Sequence, residues 1–425
     1  MRCTPSIAIL LVFTLVCSSV QPAVACIWDS DTLAAEIKGV PDVVDVIVGR
    51  FERQPAKYYE MRLERVTKLL EEDPKNLAAY DDAGAACDRL GRGDEAIAWM
   101  EKKKAVLEEM DSSNPTVVEH RYRYLANVGT FWVHRWFSRG ADRTQLDEVR
   151  TGRDFIAQAI ELNPDAHFGR EKYQLMAIDL ILEEPAEPTE DSTDRTKELP
   201  LLLKGVDPGD VYHAVKDNGS LAANGMADAV RGLSGLIALG NAWESVDVYH
   251  ALSYALQAEG RSQPAFLATQ RAIELAEQGR ESIAADAPRG AELQEWLRSY
   301  VHHPLDDRPK EQLKAYYREA RAAADQWNSN RADHMERQLA AGRHPDTHPD
   351  FWQGWNDAPP LPPLLEVEGG PNQDRAIRRA AIAGVVFLAA IFAGIVGIVF
   401  AVAYLLRSRK LTEPGAAAMK NSETA

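Results

Sequence analysis

The stretch Asn76–Val106, NLAAYDDAGAACDRLGRGDEAIAWMEKKKAV, decides the fold of this 425-residue chain. Apolar and small residues recur in it at steps of three and four, which is the period of a helix with one buried face. Gly91 and Gly93 interrupt this pattern, and Asp94 follows at a position suited to an N-cap. The stretch therefore predicts two amphipathic helices joined by a tight turn.

The order of large and small side chains in this helix pair resembles one tetratricopeptide (TPR) repeat. The matching positions are Tyr80, Ala83, Gly84, Leu90, Gly91, Ala96 and Met100. Cys87 stands where the family has an aromatic residue, and Lys103 stands where it has alanine. One such pair cannot bury its own apolar face, so the resemblance implies that neighbouring pairs stack on it.

Other parts of the chain repeat the pattern. A partial pair covers residues 125–162 and contains an insertion at residues 138–145, and a second well-matched pair covers residues 246–275. Two more helices are expected within residues 288–342, and strand patterns are nearly absent. We therefore predict an all-α fold, a TPR-like helical-hairpin solenoid with a single C-terminal transmembrane helix.

Two apolar segments bracket the helical part of the chain. Residues 1–25 have the outline of a secretory signal peptide, and Cys26 follows the small residues of its cleavage site directly. Two outcomes stay open at this position: ordinary cleavage before Cys26, or lipidation of its thiol. Residues 380–406 carry no charge and are long enough to cross a bilayer.

The signal peptide orients the protein. Basic residues flank residues 380–406 on both sides, so charge alone does not decide the topology. A cleaved signal places the N-terminal domain outside the cytoplasm, in the periplasm, and leaves a short cytoplasmic tail. Ala389, Ala393 and Gly397 have a spacing that lets two membrane helices touch, so a homodimer through this helix is an open alternative.

These patterns predict seven consecutive regions. They are a signal peptide (1–25), an N-terminal TPR-like region (26–182), an acidic Pro-rich linker (183–200), a C-terminal TPR-like region (201–344), a Pro/aromatic-rich spacer (345–379), the transmembrane helix (380–406) and the tail (407–425).

Charge and motifs exclude several classes of function. The formal net charge of −16 argues against nucleic acid as a partner, because phosphates would repel the protein. No phosphate-binding loop, HExxH zinc motif, GxGxxG or GxSxG is present in the sequence. We therefore expect no enzyme and no cofactor.

The TPR resemblance implies a concave groove lined by the first helix of each repeat, where partner proteins or peptides bind. Helical spacing places three sets of residues on such faces. The predicted groove residues are Asp81, Asp88 and Arg89 from the first set, Arg123, Thr130 and His134 from the second, and Asp247, His250, Tyr254 and Gln257 from the third. For each of them the alternative is an ordinary solvated helix face.

A second hypothesis is a small-ligand or divalent-metal-binding protein. His344 and His348 lie with two aspartates in the segment HPDTHPD, which is the nearest approach to a metal site in the sequence. A polar turn with helix-stopping prolines accounts for the same residues. The first hypothesis is a membrane-tethered extracytoplasmic scaffold that binds partner proteins and catalyses nothing.

Overall fold

The computed structural model describes residues 27–164, 169–184, 198–206, 220–299 and 307–364, and within them the regular elements are helices without strands. The prediction of an all-α fold is confirmed for this part of the chain. The predicted signal peptide, Cys26 and the predicted transmembrane segment lie outside the described residues. Among the described helices, none combines the length and the apolar character that crossing a membrane requires.

Fourteen helices are found in the described ranges. They are α1 (Ser30–Lys38), α2 (Val43–Val48), α3 (Ala56–Glu72), α4 (Leu77–Arg89), α5 (Gly93–Glu108), α6 (Pro115–Ser138), α7 (Asp147–Leu162), α8 (Arg170–Leu182), α9 (Ser220–Ala223), α10 (Ala229–Ala238), α11 (Val246–Ala258), α12 (Ser262–Glu277), α13 (Gly290–Ser299) and α14 (Asp307–Ala340).

The helix pair α4–α5 forms where the sequence predicts it. The Asn76 side chain caps α4 by accepting a hydrogen bond from the Ala79 N–H at 3.1 Å. Gly91 ends the turn with a φ of 72°, a conformation that glycine adopts without strain. The predicted cap at Asp94 is wrong: α5 begins at Gly93, and the Asp94 carboxylate accepts hydrogen bonds from Arg135 instead.

Consecutive helices pack against each other along the chain. From α3 to α8 each helix contacts the next, α8 contacts α10, and α10 to α13 continue the series. The backbones of α6 and α7 meet at two glycines: a Cβ added at Gly152 would lie 2.6 Å from the carbonyl oxygen of Gly129. Only glycine allows this approach, and the small residues of the sequence pattern therefore have a packing role.

Two helices outside this series connect its beginning to its end. The long helix α14 contacts α12, α2 and α3, and α2 contacts α10 and α12. The largest buried apolar cluster accordingly contains Ile47 of α2, Tyr173 of α8 and Leu252 of α11. This arrangement brings the N-terminal segment beside the loop that joins α10 to α11, and that juxtaposition creates the site described below.

Part of the predicted spacer belongs to the folded unit. Phe351 is fully buried and packs with Tyr58, Met335 and Leu339. Asp346 accepts hydrogen bonds from the Arg62 guanidinium at 2.7 and 2.9 Å. Residues 344–355 are thus fastened to α3 and α14 instead of extending away from them.

Candidate functional site

A cavity of about 900 Å³ lies between the N-terminal segment, the C-terminal ends of α4 and α6, and the loop between α10 and α11. Its wall combines aromatic rings with charged groups. The aromatic side chains that line it are Phe51, Tyr59, Phe137 and Trp243. The volume is in the range of pockets that hold small molecules or several residues of a peptide.

Three of the predicted groove residues, Asp88, Arg89 and His134, line this cavity. His134 Nδ1 lies 2.8 Å from both carboxylate oxygens of Asp88, so the carboxylate holds the imidazole in place. The other ring nitrogen of His134 is buried and has no hydrogen-bond partner. Two predicted faces, on α4 and α6, therefore meet at one site.

A neighbouring part of the same inner face holds a segment of the chain itself. The side-chain oxygen of Asn127 accepts a hydrogen bond from the Trp28 N–H at 2.6 Å, and its amide nitrogen donates to the Trp28 carbonyl at 2.9 Å. Both bonds are to backbone atoms. Asn127 thus holds Trp28 by its backbone.

The Asp81 carboxylate sets the orientation of the Asn127 amide. Asp81 accepts a further hydrogen bond from the Asn127 amide at 3.1 Å and is paired with the buried Lys103 ammonium at 2.6 Å. Since a carboxylate only accepts hydrogen bonds, Asp81 forces the amide nitrogen toward itself and leaves the oxygen facing Trp28. The predicted groove residue Asp81 is therefore a positioning group that does not reach the cavity.

The Trp28 side chain is fully enclosed. Its indole N–H donates to Glu171 at 3.2 Å, and the Arg170 guanidinium lies 5.0 Å from its ring centroid. The Tyr122 ring meets it edge-on at 5.8 Å. The segment after the predicted cleavage site is consequently held by α4, α6 and α8 together.

The remaining predicted groove residues do not line the cavity. Arg123 pairs with Glu119 one turn away, and Thr130 is buried and accepts a hydrogen bond from Gln174. On α11 all four predicted residues are buried in the interior. They are Asp247, His250, Tyr254 and Gln257.

An acidic cluster around Arg62 borders the cavity. The buried Arg62 guanidinium lies 2.9 Å from Asp31 and 3.8 Å from Asp29. Burial, together with the nearby Asp31, raises the pKa of Asp29 to about 6, although Arg62 acts in the opposite direction. Asp29 also caps α1 by accepting a hydrogen bond from the Thr32 N–H at 2.8 Å.

Most charged groups that line the cavity are neutralised by a partner. Lys38 pairs with Glu52, Arg280 with Glu244, and Arg135 with Asp94 and Glu148. Arg53 and Arg89 are different: among the described residues neither has a carboxylate within 4 Å.

The His344 side chain has both ring nitrogens engaged in hydrogen bonds. Nε2 donates to the Tyr58 carbonyl at 3.1 Å, and Nδ1 accepts from the Asp346 N–H at 3.1 Å. Its ring stacks on Tyr58 at 4.4 Å, and burial lowers its pKa. His348 bonds within the same turn, and His344 anchors that turn to α3. Within the described ranges no group of three or more potential metal ligands was found.

Sequence reasoning missed Asn127, Arg53 and Trp243. A signal for Asn127 existed, because residues 123, 127, 130 and 134 follow each other at helical steps of four, three and four. Arg53 and Trp243 lie in loops, where no periodicity marks the residues that face inward.

Comparison with known proteins identifies no relative. No protein-family model, curated protein or solved structure matches this chain. The functional assignment therefore rests on the residues of the cavity and of the inner face, and the TPR resemblance stays a prediction.

Proposed function

We propose that the protein is a membrane-tethered extracytoplasmic helical scaffold that binds an extended segment of a partner protein on its inner face and catalyses nothing. The TPR-like solenoid predicted from the sequence is part of this proposal. Its main structural support is the two-way hydrogen bonding between Asn127 and the Trp28 backbone.

This contact supports peptide binding because the Asn127 amide bonds to backbone atoms, accepting from an N–H and donating to a carbonyl of one residue. Asn127 is buried and pre-oriented by Asp81, and in the structure it holds the chain's own Trp28. A partner segment would bind beyond Trp28, in the cavity that adjoins this face.

The cavity supplies space for further residues of such a segment. Asp29, Asp31 and Thr32 of the bound segment already line the cavity, which continues past Asp88 and His134. A partner segment that enters the cavity would meet both charged groups and aromatic rings. Arrangements of this kind favour orientation and specificity.

The membrane tether and the location outside the cytoplasm come from sequence alone. Residues 1–25 have the pattern of a secretory signal, and residues 380–406 form an uncharged stretch of membrane-spanning length. The possible homodimer through residues 380–406 has the same basis. Asp147 is fully exposed, so a cysteine introduced there, Asp147→Cys, should react with a membrane-impermeant thiol reagent added outside intact cells if this topology holds.

Binding of a small ligand is the second candidate function. The volume of the cavity and its aromatic lining favour it.

Panning of a random linear-peptide library against the full-length protein in lipid nanodiscs tests the scaffold proposal. We expect enriched peptides whose binding falls by at least about tenfold in His134→Ala and in Asp88→Ala, since each replacement removes polar groups and the His134–Asp88 contact from the cavity wall. Fluorescence anisotropy with labelled copies of the enriched peptides measures the change.

Arg150→Ala serves as the control, because Arg150 lies on the exposed surface of α7, outside the cavity, and pairs with Asp147. It should leave binding unchanged. Peptides that bind all three variants as tightly as the natural protein, or a library that yields no binder, would overturn the proposal.

A further inference from the structure

We propose that Arg53, Arg89 and Trp243 form a binding site for a carboxylate carried on a flat apolar body, such as an aromatic acid. This assignment rests on the proposed binding role of the cavity, but it needs no partner protein. Three observations carry it: two guanidiniums without counter-ions among the described residues, the aromatic ring of Trp243 that both approach, and a loop that presents this ring.

The two guanidiniums share one aromatic ring. The Arg53 guanidinium carbon lies 5.1 Å from the Trp243 ring centroid, and that of Arg89 lies 5.9 Å from it. Arg53 is also 4.7 Å from the Phe51 ring. Stacking on aromatic faces keeps a guanidinium in place while its edges stay available for hydrogen bonds.

Neither guanidinium is neutralised by the described residues. Arg53 donates to the Gly49 carbonyl at 3.3 Å, and Arg89 donates to the Leu239 carbonyl and to the Asn241 side chain. All these acceptors are uncharged. The Nε atoms of both arginines are buried and have no hydrogen-bond partner.

An unpaired cation in a partly buried site is costly, and an anion would relieve that cost. The carboxylate of Glu244 raises the pKa of Arg53 by its charge, but it already accepts a hydrogen bond from the Arg280 guanidinium at 2.5 Å. Burial lowers the pKa of Arg53, and the nearby Arg271 and Arg321 act in the same direction. A bound carboxylate would supply the missing negative charge, and the fork of a guanidinium matches its two oxygens.

The loop between α10 and α11 is built to present this site. Asn241 adopts a φ of 70°, the left-handed region that asparagine tolerates better than most residues. Its side-chain oxygen accepts the hydrogen bond from Arg89, and Trp243 follows two residues later. The loop therefore holds one arginine by its side chain and supports both with the indole ring.

The remaining wall determines what the carboxylate is attached to. The ring centroids of Phe51 and Trp243 lie 6.3 Å apart, and Tyr59 and Phe137 also line the cavity. Flat apolar surfaces of this kind suit an aromatic or similarly flat body. The carboxylate can belong to a free small acid or to the C-terminal residue of a partner segment.

Isothermal titration calorimetry of the full-length protein with N-acetylphenylalanine, and with N-acetylphenylalanine amide as the neutral match, tests the site. We expect the acid to bind and the amide to bind at least about tenfold more weakly. Arg53→Gln and Arg89→Gln should each weaken binding of the acid by about tenfold or more, because each removes charge-assisted hydrogen bonds.

Arg150→Gln is the control, since Arg150 lies on the exposed surface of α7, outside the cavity, and pairs with Asp147. It should bind the acid as the natural protein does. Arg53→Lys and Arg89→Lys keep the charge without the fork and should recover part of the affinity, a result that loss of folding cannot produce.

Equal binding of acid and amide, or equal binding by the Gln variants and the natural protein, overturns the site. Binding of inorganic phosphate without binding of the acid overturns the assignment to a carboxylate. A hexapeptide with a free C-terminal phenylalanine separates the two sources: tighter binding than the N-acetyl amino acid assigns the carboxylate to a partner segment, and equal or weaker binding assigns it to a free acid. Because the small acid requires no peptide, this site can fail or hold independently of the scaffold proposal.

Discussion

The inner faces of α4 and α11 have the same sequence pattern but very different surroundings. Asp81, Ala85 and Asp88 on α4 correspond in spacing to His250, Tyr254 and Gln257 on α11. The three α11 side chains have at most 2% of their surface exposed, and Asp81 and Ala85 on α4 are equally buried. On α4, however, Asp81 orients the Asn127 side chain that bonds to Trp28, and Asp88 lines an open cavity.

The difference arises from what lies opposite each face. The Trp296 ring of α13 meets the His250 ring edge-on, with 5.3 Å between the ring centroids. Asp247 holds the loop between α12 and α13 by accepting hydrogen bonds from the Ser282 hydroxyl and the Ile283 N–H. Opposite α4 lie the N-terminal segment and the α10–α11 loop, which leave the cavity between them. A repeat pattern therefore identifies the residues that face inward, whereas the rest of the chain decides whether the space in front of them is filled.

The largest expected effect concerns the polar support of the α4 face. Asp81→Ala should lower the free energy of unfolding by about 3–5 kcal/mol, because the fully buried Lys103 ammonium would lose its counter-ion. Chemical denaturation measures the change. The double variant Asp81→Ala/Lys103→Met should recover much of it, and a double variant as unstable as the single one would contradict this explanation.

A smaller effect distinguishes the close contact between α6 and α7 from the looser contact between α8 and α10. Gly152→Ala should destabilise the protein by about 1–3 kcal/mol, since the added Cβ would lie 2.6 Å from both the Gly129 carbonyl oxygen and a methyl group of Val133. Gly235→Ala on α10 is the matched variant: its Cβ would lie 3.4 Å from the Arg170 side chain, an ordinary contact.

Gly235→Ala should therefore leave stability unchanged or raise it by up to about 1 kcal/mol, because alanine has the higher helix propensity. Thermal unfolding of both variants provides the measurement. Similar melting temperatures for the two would show that α6 and α7 can separate without cost, against the structure.

The smallest expected effect is a pH dependence of stability that arises from Asp29 in the N-terminal segment. Burial raises the pKa of Asp29 to about 6 in the folded state, whereas the unfolded chain has the ordinary pKa near 3.8. Between these two pH values the folded protein therefore holds a proton that the unfolded chain has released. Stability from this group is therefore fully present below about pH 4 and is lost as the pH rises through 6.

Asp29→Asn removes the titration while keeping an oxygen that can accept from Thr32. Relative to this variant, the natural protein should gain about 1 kcal/mol of stability when the pH falls from 7 to 5. Denaturation curves at both pH values measure the difference. An unchanged difference between the two proteins at pH 7 and pH 5 would contradict the raised pKa of Asp29.

Sequence patterns located the helices better than they located the site. The pairs α4–α5 and α11–α12 form where the apolar period predicts them, because burial of one helix face is a local property of the sequence. α5 begins two residues earlier than a cap at Asp94 would place it, and the Asp94 carboxylate pairs with Arg135 of α6 and with Arg139 just after that helix. Asp88, Arg89 and His134 reach the cavity together because they share the C-terminal ends of adjacent helices.

The sequence by itself determined that the described chain is helical, which face of each helix turns inward, and where small residues allow close packing, because all of these follow from local periodicity and side-chain size. Only the tertiary structure decided that residues 27–29 pack against α4, α6 and α8 and that the α11 face is filled. It also decided that Arg53 and Trp243, about 190 residues apart in the chain, meet at one cavity. These outcomes depend on contacts between distant segments, and no periodic pattern in the sequence encodes such contacts.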